Sequence, residues 1–148
     1  MNEVKAILVP IDFSANADKV VETANGMAEK FKAEMHLLHV AEDFAPYSGF
    51  VIPHISTDVL AKEILEQAEK KMNAFLDRQR EMGHKCTGKV MQGDDVAEEI
   101  VNYVGKNKMD MIVMGTHGYK GIEKTFMGSV AEKVLRLASC PVMVVKPN

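Results

Sequence analysis

The chain has 148 residues, of which 47% are hydrophobic and 26% charged, and its formal net charge is −3. This length and composition predict a single domain across residues 1–148 with one apolar core, and they exclude a disordered chain. The acidic excess argues against a nucleic-acid-binding protein, which usually carries a basic excess. The two cysteines, Cys86 and Cys140, do not form a C-x-x-C pair, which excludes a disulfide scaffold and a zinc finger.

No segment has the pattern of an export signal or of a membrane helix. The apolar run at residues 6–11 is short and is not followed by a small-residue cleavage site. No apolar stretch approaches the roughly 20 residues that a membrane helix needs. We therefore expect a cytoplasmic protein that binds neither membranes nor nucleic acids.

The first half of the chain alternates apolar runs with segments of helical periodicity. Residues 4–11 are almost continuously hydrophobic and predict a strand that is covered on both faces. Ser14 is a good N-cap for a first helix, and residues 34–40 predict a second strand. Residues 41–57 contain two prolines and a glycine and predict a long loop.

The alternation continues beyond this loop. Apolar residues at helical spacing between positions 60 and 76 predict a long helix, which Gly83 can end. Residues 85–92 predict a third strand, and Asp95 with Glu98 resembles the capping box of a third helix.

The last part of the chain contains a glycine-rich segment between a strand and a helix. Residues 110–114 predict the fourth strand, and the glycine-rich segment runs from Gly115 to Gly128. The S-x-x-E pattern that begins at Ser129 predicts a capping box at the start of the fourth helix. Residues 141–145 predict a fifth strand.

This β-α-β-α-β-α-β-α-β alternation predicts an α/β fold: a five-stranded parallel open sheet, Rossmann-like, with helices on both faces. We expect the strand order 3-2-1-4-5, with the reversal between the first and fourth strands. Ligands bind at such a reversal, beyond the carboxyl ends of the strands. The chemistry is therefore expected where these two strands end.

A candidate anion site lies at this reversal. Gly115 and Gly118 follow the fourth strand and allow a ligand to approach the backbone closely. Gly128 and Ser129 come nine residues later at a helix N-terminus, where free N–H groups and the helix dipole favour an anion. The pattern predicts a phosphate site.

The spacing G-x-x-G, nine residues, then G-[ST] resembles the ATP-binding motif of the universal stress protein family. The likeness covers essentially the whole chain, with matching segments at residues 7–14, 114–118, 128–134 and 140–146. The resemblance implies the same strand order, a homodimer and, in the subgroup that keeps this motif, a bound adenine nucleotide, ATP or AMP.

By position, the resemblance places Pro10, Ile11 and Asp12 at the adenosine end, with Asp12 facing the ribose or a hydrated Mg²⁺. It places the backbone of Val40 against adenine. The other positions that it implies border the ribose and phosphates: Met114, Gly115, Gly118, Gly128, Ser129 and Val130.

Two residues depart from the family pattern. Ile11 stands where binders often have a hydroxyl residue, and Ala131 stands where some have threonine. Each departure is expected to cost a hydrogen bond to the nucleotide.

Four residues near the predicted site have alternative interpretations. Asp12 is also a candidate cap of the first helix. His117 lies inside the glycine-rich segment, and a solvent-facing loop histidine is the alternative to a catalytic one. His36 and His39 point to opposite faces of a strand, which makes them poor joint metal ligands.

The leading hypothesis is a regulatory or sensor module of the stress-response type that binds an adenine nucleotide, with an unknown protein partner. Catalysis is not required, because the motif offers phosphate-binding groups without an evident general base. The alternatives are a slow ATP hydrolase or phosphotransferase, and a nucleotide-free dimeric scaffold.

The fifth strand predicts how two copies assemble. Residues 141–145 are almost wholly apolar, and the predicted order places them at a sheet edge, where unpaired backbone groups invite another strand. We expect a homodimer through this C-terminal edge strand, formed by antiparallel pairing about a two-fold axis.

Overall fold

The computed structural model describes residues 2–42, 57–116 and 127–147. Strands and helices alternate along these ranges as the sequence predicts. The strands are β1 (Ala6–Pro10), β2 (Glu34–Glu42), β3 (Cys86–Gly93), β4 (Met111–Gly115) and β5 (Val142–Val145). The helices are α1 (Ala17–Phe31), α2 (Thr57–Glu81), α3 (Val96–Asn107) and α4 (Ser129–Leu137).

The strands form one parallel sheet in the order β3-β2-β1-β4-β5. This confirms the predicted sheet and its strand order. The central strand β1 pairs with β2 along its whole length, starting with Ala6 opposite Glu34. On its other side it pairs with β4 through Ile7 and Leu8, so the order reverses between β1 and β4.

Helices cover both faces of the sheet, which explains the continuous hydrophobic run of β1. Ile7 and Val9 pack in a core with α1 and α2, whereas Leu8 packs in a second core with α3 and α4. All three side chains are fully buried. A strand with this environment has no polar face, as the sequence predicts.

The β2 strand is longer than predicted. Residues 41–57 were expected to form a loop, but Ala41 and Glu42 continue the strand, opposite Gln92 and Gly93 of β3. The neighbouring strand supplies ladder partners beyond Val40, and this tertiary pairing is invisible to local periodicity.

The first helix begins later than predicted. Its N-cap is Asn16, which makes no side-chain capping hydrogen bond, and α1 starts at Ala17. Ser14 is therefore not the N-cap. Its carbonyl instead accepts a hydrogen bond from the N–H of Ala17 at 3.0 Å, within the turn that leads into the helix.

Of the caps predicted for α3 and α4, one is confirmed and one is wrong. Asp95 caps α3 as predicted, because its carboxylate accepts a hydrogen bond from the N–H of Glu98 at 3.1 Å. The capping box at Ser129 is wrong by one position, since Gly128 is the N-cap of α4 and Ser129 is its first helical residue.

The end of α2 follows the sequence prediction. Gly83 adopts a φ of +82°, a left-handed conformation that favours glycine, two residues after the helix ends at Glu81. None of the helices within the described ranges combines the length and the apolar character that a membrane crossing requires.

An ion-pair network joins the starts of α3 and α4. Lys133 of α4 donates a hydrogen bond to the carboxylate of Asp95 and lies 3.4 Å from that of Glu98. The bond from Lys133 is the main cause that lowers the pKa of Asp95, and the same bond raises the pKa of Lys133. One carboxylate thus caps α3 and holds α4.

Replacing Lys133 by Met is expected to lower the melting temperature at pH 7. The difference from the wild-type protein should shrink below about pH 4, because the lowered pKa of Asp95 means that its stabilising contribution is lost only as the carboxylate protonates. Thermal denaturation followed by circular dichroism measures this effect.

The control is Asp95→Asn, which keeps the capping acceptor and removes the charge. In the Asp95→Asn background, Lys133→Met should cost less at pH 7. Equal costs in both backgrounds would contradict the role of the pair.

Candidate functional site

A cavity of about 530 Å³ opens where β1 and β4 end and α4 begins. The carboxyl ends of parallel strands lie at one edge of the sheet, and here the strand order reverses. At such a reversal, the connections that follow the two strands run in opposite directions, and a crevice opens between them. The cavity therefore lies where the sequence predicts a ligand.

Nine of the ten predicted site residues line this cavity. They are Pro10, Ile11, Asp12, Val40, Met114, Gly115, Gly128, Ser129 and Val130. The tenth, Gly118, lies outside the described residues, as does His117. The fold thus brings the two halves of the predicted motif into one cavity, and their roles toward a ligand remain predictions.

The start of α4 is held directly against the end of β4. The N–H of Gly128 donates a hydrogen bond of 2.6 Å to the carbonyl of Thr116. Beyond this contact, the N–H groups of Ser129, Val130 and Ala131 open α4 and have no partner inside the helix. All three residues line the cavity, so these donors and the helix dipole make its α4 end a place for an anion.

The shift of the cap to Gly128 changes what Ser129 can do. The hydroxyl of an N-cap serine normally accepts a hydrogen bond from a backbone N–H group in the first turn of the helix. Ser129 is exposed at the first helical position, and no hydrogen bond within the described parts of the chain engages its hydroxyl. Gly128 has a φ of −64°, so this backbone conformation does not require glycine.

Asp12 lies in a tight turn between β1 and α1. Its Oδ1 accepts a hydrogen bond from the N–H of Ser14 at 3.0 Å, which is an Asx-turn rather than a helix cap. Its Oδ2 is buried and has no hydrogen-bond partner among the described residues. A buried carboxylate oxygen without a donor is costly, so this atom is suited to a hydroxyl group or a hydrated cation of a ligand.

Phe13 occupies an unusual conformation in the same turn. Its φ is +60°, in the left-handed region that bulky residues rarely adopt. Such strain persists where the surroundings hold it, often at functional sites. The turn beside Asp12 is therefore imposed by its packing.

His39 is a cavity residue that the sequence analysis did not assign to the site. It is half-buried on β2, and its Nδ1 lies 2.7 Å from the carbonyl oxygen of Ile11. Because a carbonyl can only accept, Nδ1 donates this bond. Burial is the main cause that lowers the pKa of His39, which favours the neutral form of the ring. The sequence feature that could have located it is its position next to Val40, at the predicted end of the second strand.

The apolar wall of the cavity includes residues from a helix that the motif does not contain. Val96 and Ile100 of α3 line it together with Leu38 and Met114. Their contribution depends on how α3 packs against the sheet, which the spacing of the sequence does not predict. The cavity thus has an apolar wall and an end rich in N–H donors.

The described residues contain no group of three or more histidine, cysteine or carboxylate side chains that is placed to hold a metal ion. Asp12 alone is consistent with Mg²⁺ that arrives with a ligand, since proteins commonly hold Mg²⁺ through one or two carboxylates together with phosphates and water.

The amino-acid sequence matches a known protein family. The sequence profile of the universal stress protein family matches residues 3–146. Universal stress protein MJ0531 of Methanocaldococcus jannaschii is 36% identical over 146 residues, which cover 98% of this chain and 84% of that protein.

Solved structures show the same fold. The structure of MJ0577, from the same archaeon, superposes with a TM-score of 0.81 at 29% identity and covers 99% of both chains. A universal stress protein of Archaeoglobus fulgidus in complex with dAMP gives a TM-score of 0.69 at 18% identity, covering 98% of this chain and 100% of that one. At 18% identity the likeness concerns the fold alone.

The ring of His39 is expected to titrate below the ordinary histidine value of about 6.5, because burial disfavours its charged form. Ring-proton NMR across pH 4–8 measures the midpoint, and the spectrum of His39→Asn assigns the signal. In urea-unfolded protein the same signal should titrate near the ordinary value. A folded-state midpoint at or above it would contradict the burial of the ring.

Proposed function

This chain belongs to the universal stress protein family, and from that premise we propose that it binds an adenine nucleotide, ATP or AMP, as a stress-response sensor or regulatory module. The observation that carries the proposal is one cavity with an apolar wall and the N-terminus of α4 at its edge. An adenosine and a phosphate need such surroundings in a single site.

The apolar wall suits the base. Val96 is half-buried and lines the cavity beside the buried side chains of Leu38, Ile100 and Met114. An adenine ring placed there packs against an apolar wall and removes its own apolar faces, and the exposed part of Val96, from water. The backbone of Val40 supplies the polar contact to the base, and Pro10 and Ile11 close the adenosine end.

The start of α4 suits the phosphates. The N–H groups of the first turn, the positive end of the helix dipole and the hydroxyl of Ser129 all donate to or attract an anion. Gly115 and Gly128 border this part of the cavity without side chains that would occupy the space of the phosphates, and the family resemblance implies the same role for Gly118. The complex of the A. fulgidus universal stress protein with dAMP supports an adenine nucleotide as the class of ligand.

Asp12 fits the ribose or a metal ion held by the nucleotide. Its unpartnered Oδ2 accepts a hydrogen bond from a ribose hydroxyl, or from water of a hydrated Mg²⁺. Mg²⁺ would supply charge neutralisation for a polyphosphate, and the residue that this chain offers for it is Asp12.

The direct test is to incubate purified protein with Mg-ATP and to analyse the bound and released nucleotide by chromatography. Retained ATP or AMP supports a nucleotide-dependent regulator. Steady release of ADP or AMP would establish the hydrolase alternative. Absence of any bound adenine nucleotide would reject the proposed function and favour the nucleotide-free scaffold.

Replacing Ser129 by Ala is expected to weaken ATP binding about tenfold or more. The variant loses one hydrogen bond to a charged group, worth roughly 1.5–3 kcal/mol. Isothermal titration calorimetry measures the Kd. Ser139→Ala is the matched control, since Ser139 is exposed beyond α4 and does not line the cavity. Equal Kd values for the two variants would reject the phosphate assignment.

We further propose that this protein is a cytoplasmic, single-domain homodimer that assembles through β5. β5 is an edge strand whose residues are half-buried. Met143 packs against the core shared with α1 and α2, and Val142 packs against the other core. Within the described residues Val144 packs against neither core, which leaves it for a second copy. Antiparallel pairing would satisfy both edges with one surface.

Val144→Lys is expected to convert the dimer to a monomer at micromolar concentration, because it brings two like charges to a self-complementary interface. Sedimentation velocity measures the state. Met82→Lys, a lysine in place of an exposed hydrophobic residue away from β5, should leave the dimer intact. A wild-type protein that sediments as a monomer would reject the assembly.

A further inference from the structure

The ring of His39 lies at the boundary between two cavities. It lines the candidate nucleotide cavity and also a second one of about 570 Å³, which α2 covers from the other side. Asp12 is likewise common to both. His39 and Asp12 therefore lie where the β1–α1 turn meets the candidate cavity.

Both backbone groups of Ile11 are held by β2. Its N–H donates to the carbonyl of Leu38 at 2.8 Å, and its carbonyl accepts from Nδ1 of His39 at 2.7 Å. The second bond comes from a side chain and fixes the direction in which the chain leaves β1. It also places a proton on Nδ1, so that Nε2 is an acceptor when the ring is neutral.

The ring of His39 also supports the strained residue of the turn. Its centroid lies 4.5 Å from that of Phe13, and the centroid of the Phe75 ring in α2 lies 6.0 Å from that of Phe13. The ammonium group of Lys71 lies 5.9 Å from the centre of the Phe13 ring. These contacts hold Phe13 at a φ of +60°.

Asp12 stands between the two residues that His39 holds. Its Oδ1 is committed to Ser14, so the orientation of the turn decides where the free Oδ2 points. Ile11 on one side and Phe13 on the other both contact the imidazole. A change in the ring therefore acts on the position of the Asp12 carboxylate through both of its chain neighbours.

We propose that His39 is a positioning residue for nucleotide binding: its Nδ1–H bond to Ile11 and its contact with Phe13 lock the β1–α1 turn so that the Asp12 carboxylate faces the ribose or its hydrated Mg²⁺. This inference rests on the proposed function. It assigns the histidine a role that its hydrophobic neighbours in β2 lack, since an apolar ring would fill the same volume without donating a bond.

The test compares three variants at position 39 by titration calorimetry with Mg-ATP. His39→Phe keeps an aromatic ring and removes the donor to Ile11. It is expected to weaken binding about tenfold, because the displaced Asp12 carboxylate would lose its charge-assisted hydrogen bond to the nucleotide. His39→Asn places an amide N–H near the position of Nδ1 and should recover most of the affinity. His39→Gln places its amide farther out and should not.

A double-mutant cycle identifies the group through which His39 acts. In an Asp12→Ala background, His39→Phe should change the Kd by less than twofold, because the carboxylate that the ring positions is gone. Circular dichroism confirms that each variant is folded. If His39→Phe does not fold, the contrast between His39→Asn and His39→Gln decides.

The outcomes separate this inference from the proposed function. A wild-type protein that binds no adenine nucleotide rejects the proposed function. A wild-type protein that binds Mg-ATP with the same Kd as folded His39→Phe overturns the positioning role and leaves the function standing. Equal losses of affinity in His39→Asn and His39→Gln also overturn it. So does a full tenfold loss of affinity when His39→Phe is added to Asp12→Ala.

Discussion

The pairing of β1 with β4 joins segments that lie about a hundred residues apart and sets the place of the other elements. The contact is reinforced at the amino ends of both strands, where the carboxylate of Asp110 accepts hydrogen bonds of 2.9 Å from the N–H groups of Lys5 and Ala6. The N–H of Asp110 in turn donates to the carbonyl of Ala6 at 2.9 Å. Because the two strands start together, they also end together, and the cavity lies at their common end. The helix that follows β4 is thereby placed across from Asp12.

The sequence predicted those features that follow from burial and from the geometry of parallel sheets. β1 is hydrophobic throughout because helices cover both of its faces, so its type and its central place could be read from residues 4–11. The carboxyl-end rule then places Asp12 and Ser129 in one crevice, although 117 positions separate them in the chain. No long-range contact had to be known for this step, because the rule concerns strand direction alone.

The features that were missed depend on contacts between distant elements. β2 continues to Glu42 because β3 offers a partner there, and no local pattern records that pairing. His39 was weighed only as a joint metal ligand with His36, and it was judged a poor one because the two side chains face opposite sides of the strand. The same alternation in fact places its ring beside Phe13, on the face shared with α1 and α2. Its role depends on the turn of a neighbouring strand, and a single strand's periodicity contains no information about that turn.

The hydrogen bond between Gly128 and Thr116 also makes the end of β4 and the start of α4 one mechanical unit. The N–H of Gly128 donates to the carbonyl of Thr116 at 2.6 Å, and neither backbone group depends on a side chain for this contact. Substitutions at these two residues, other than proline at position 128, therefore leave the bond available, whereas a shift of β4 within the sheet would move the first turn of α4 with it. Related chains can thus change the side chains that border the cavity while the strand end and the helix start keep their relative positions.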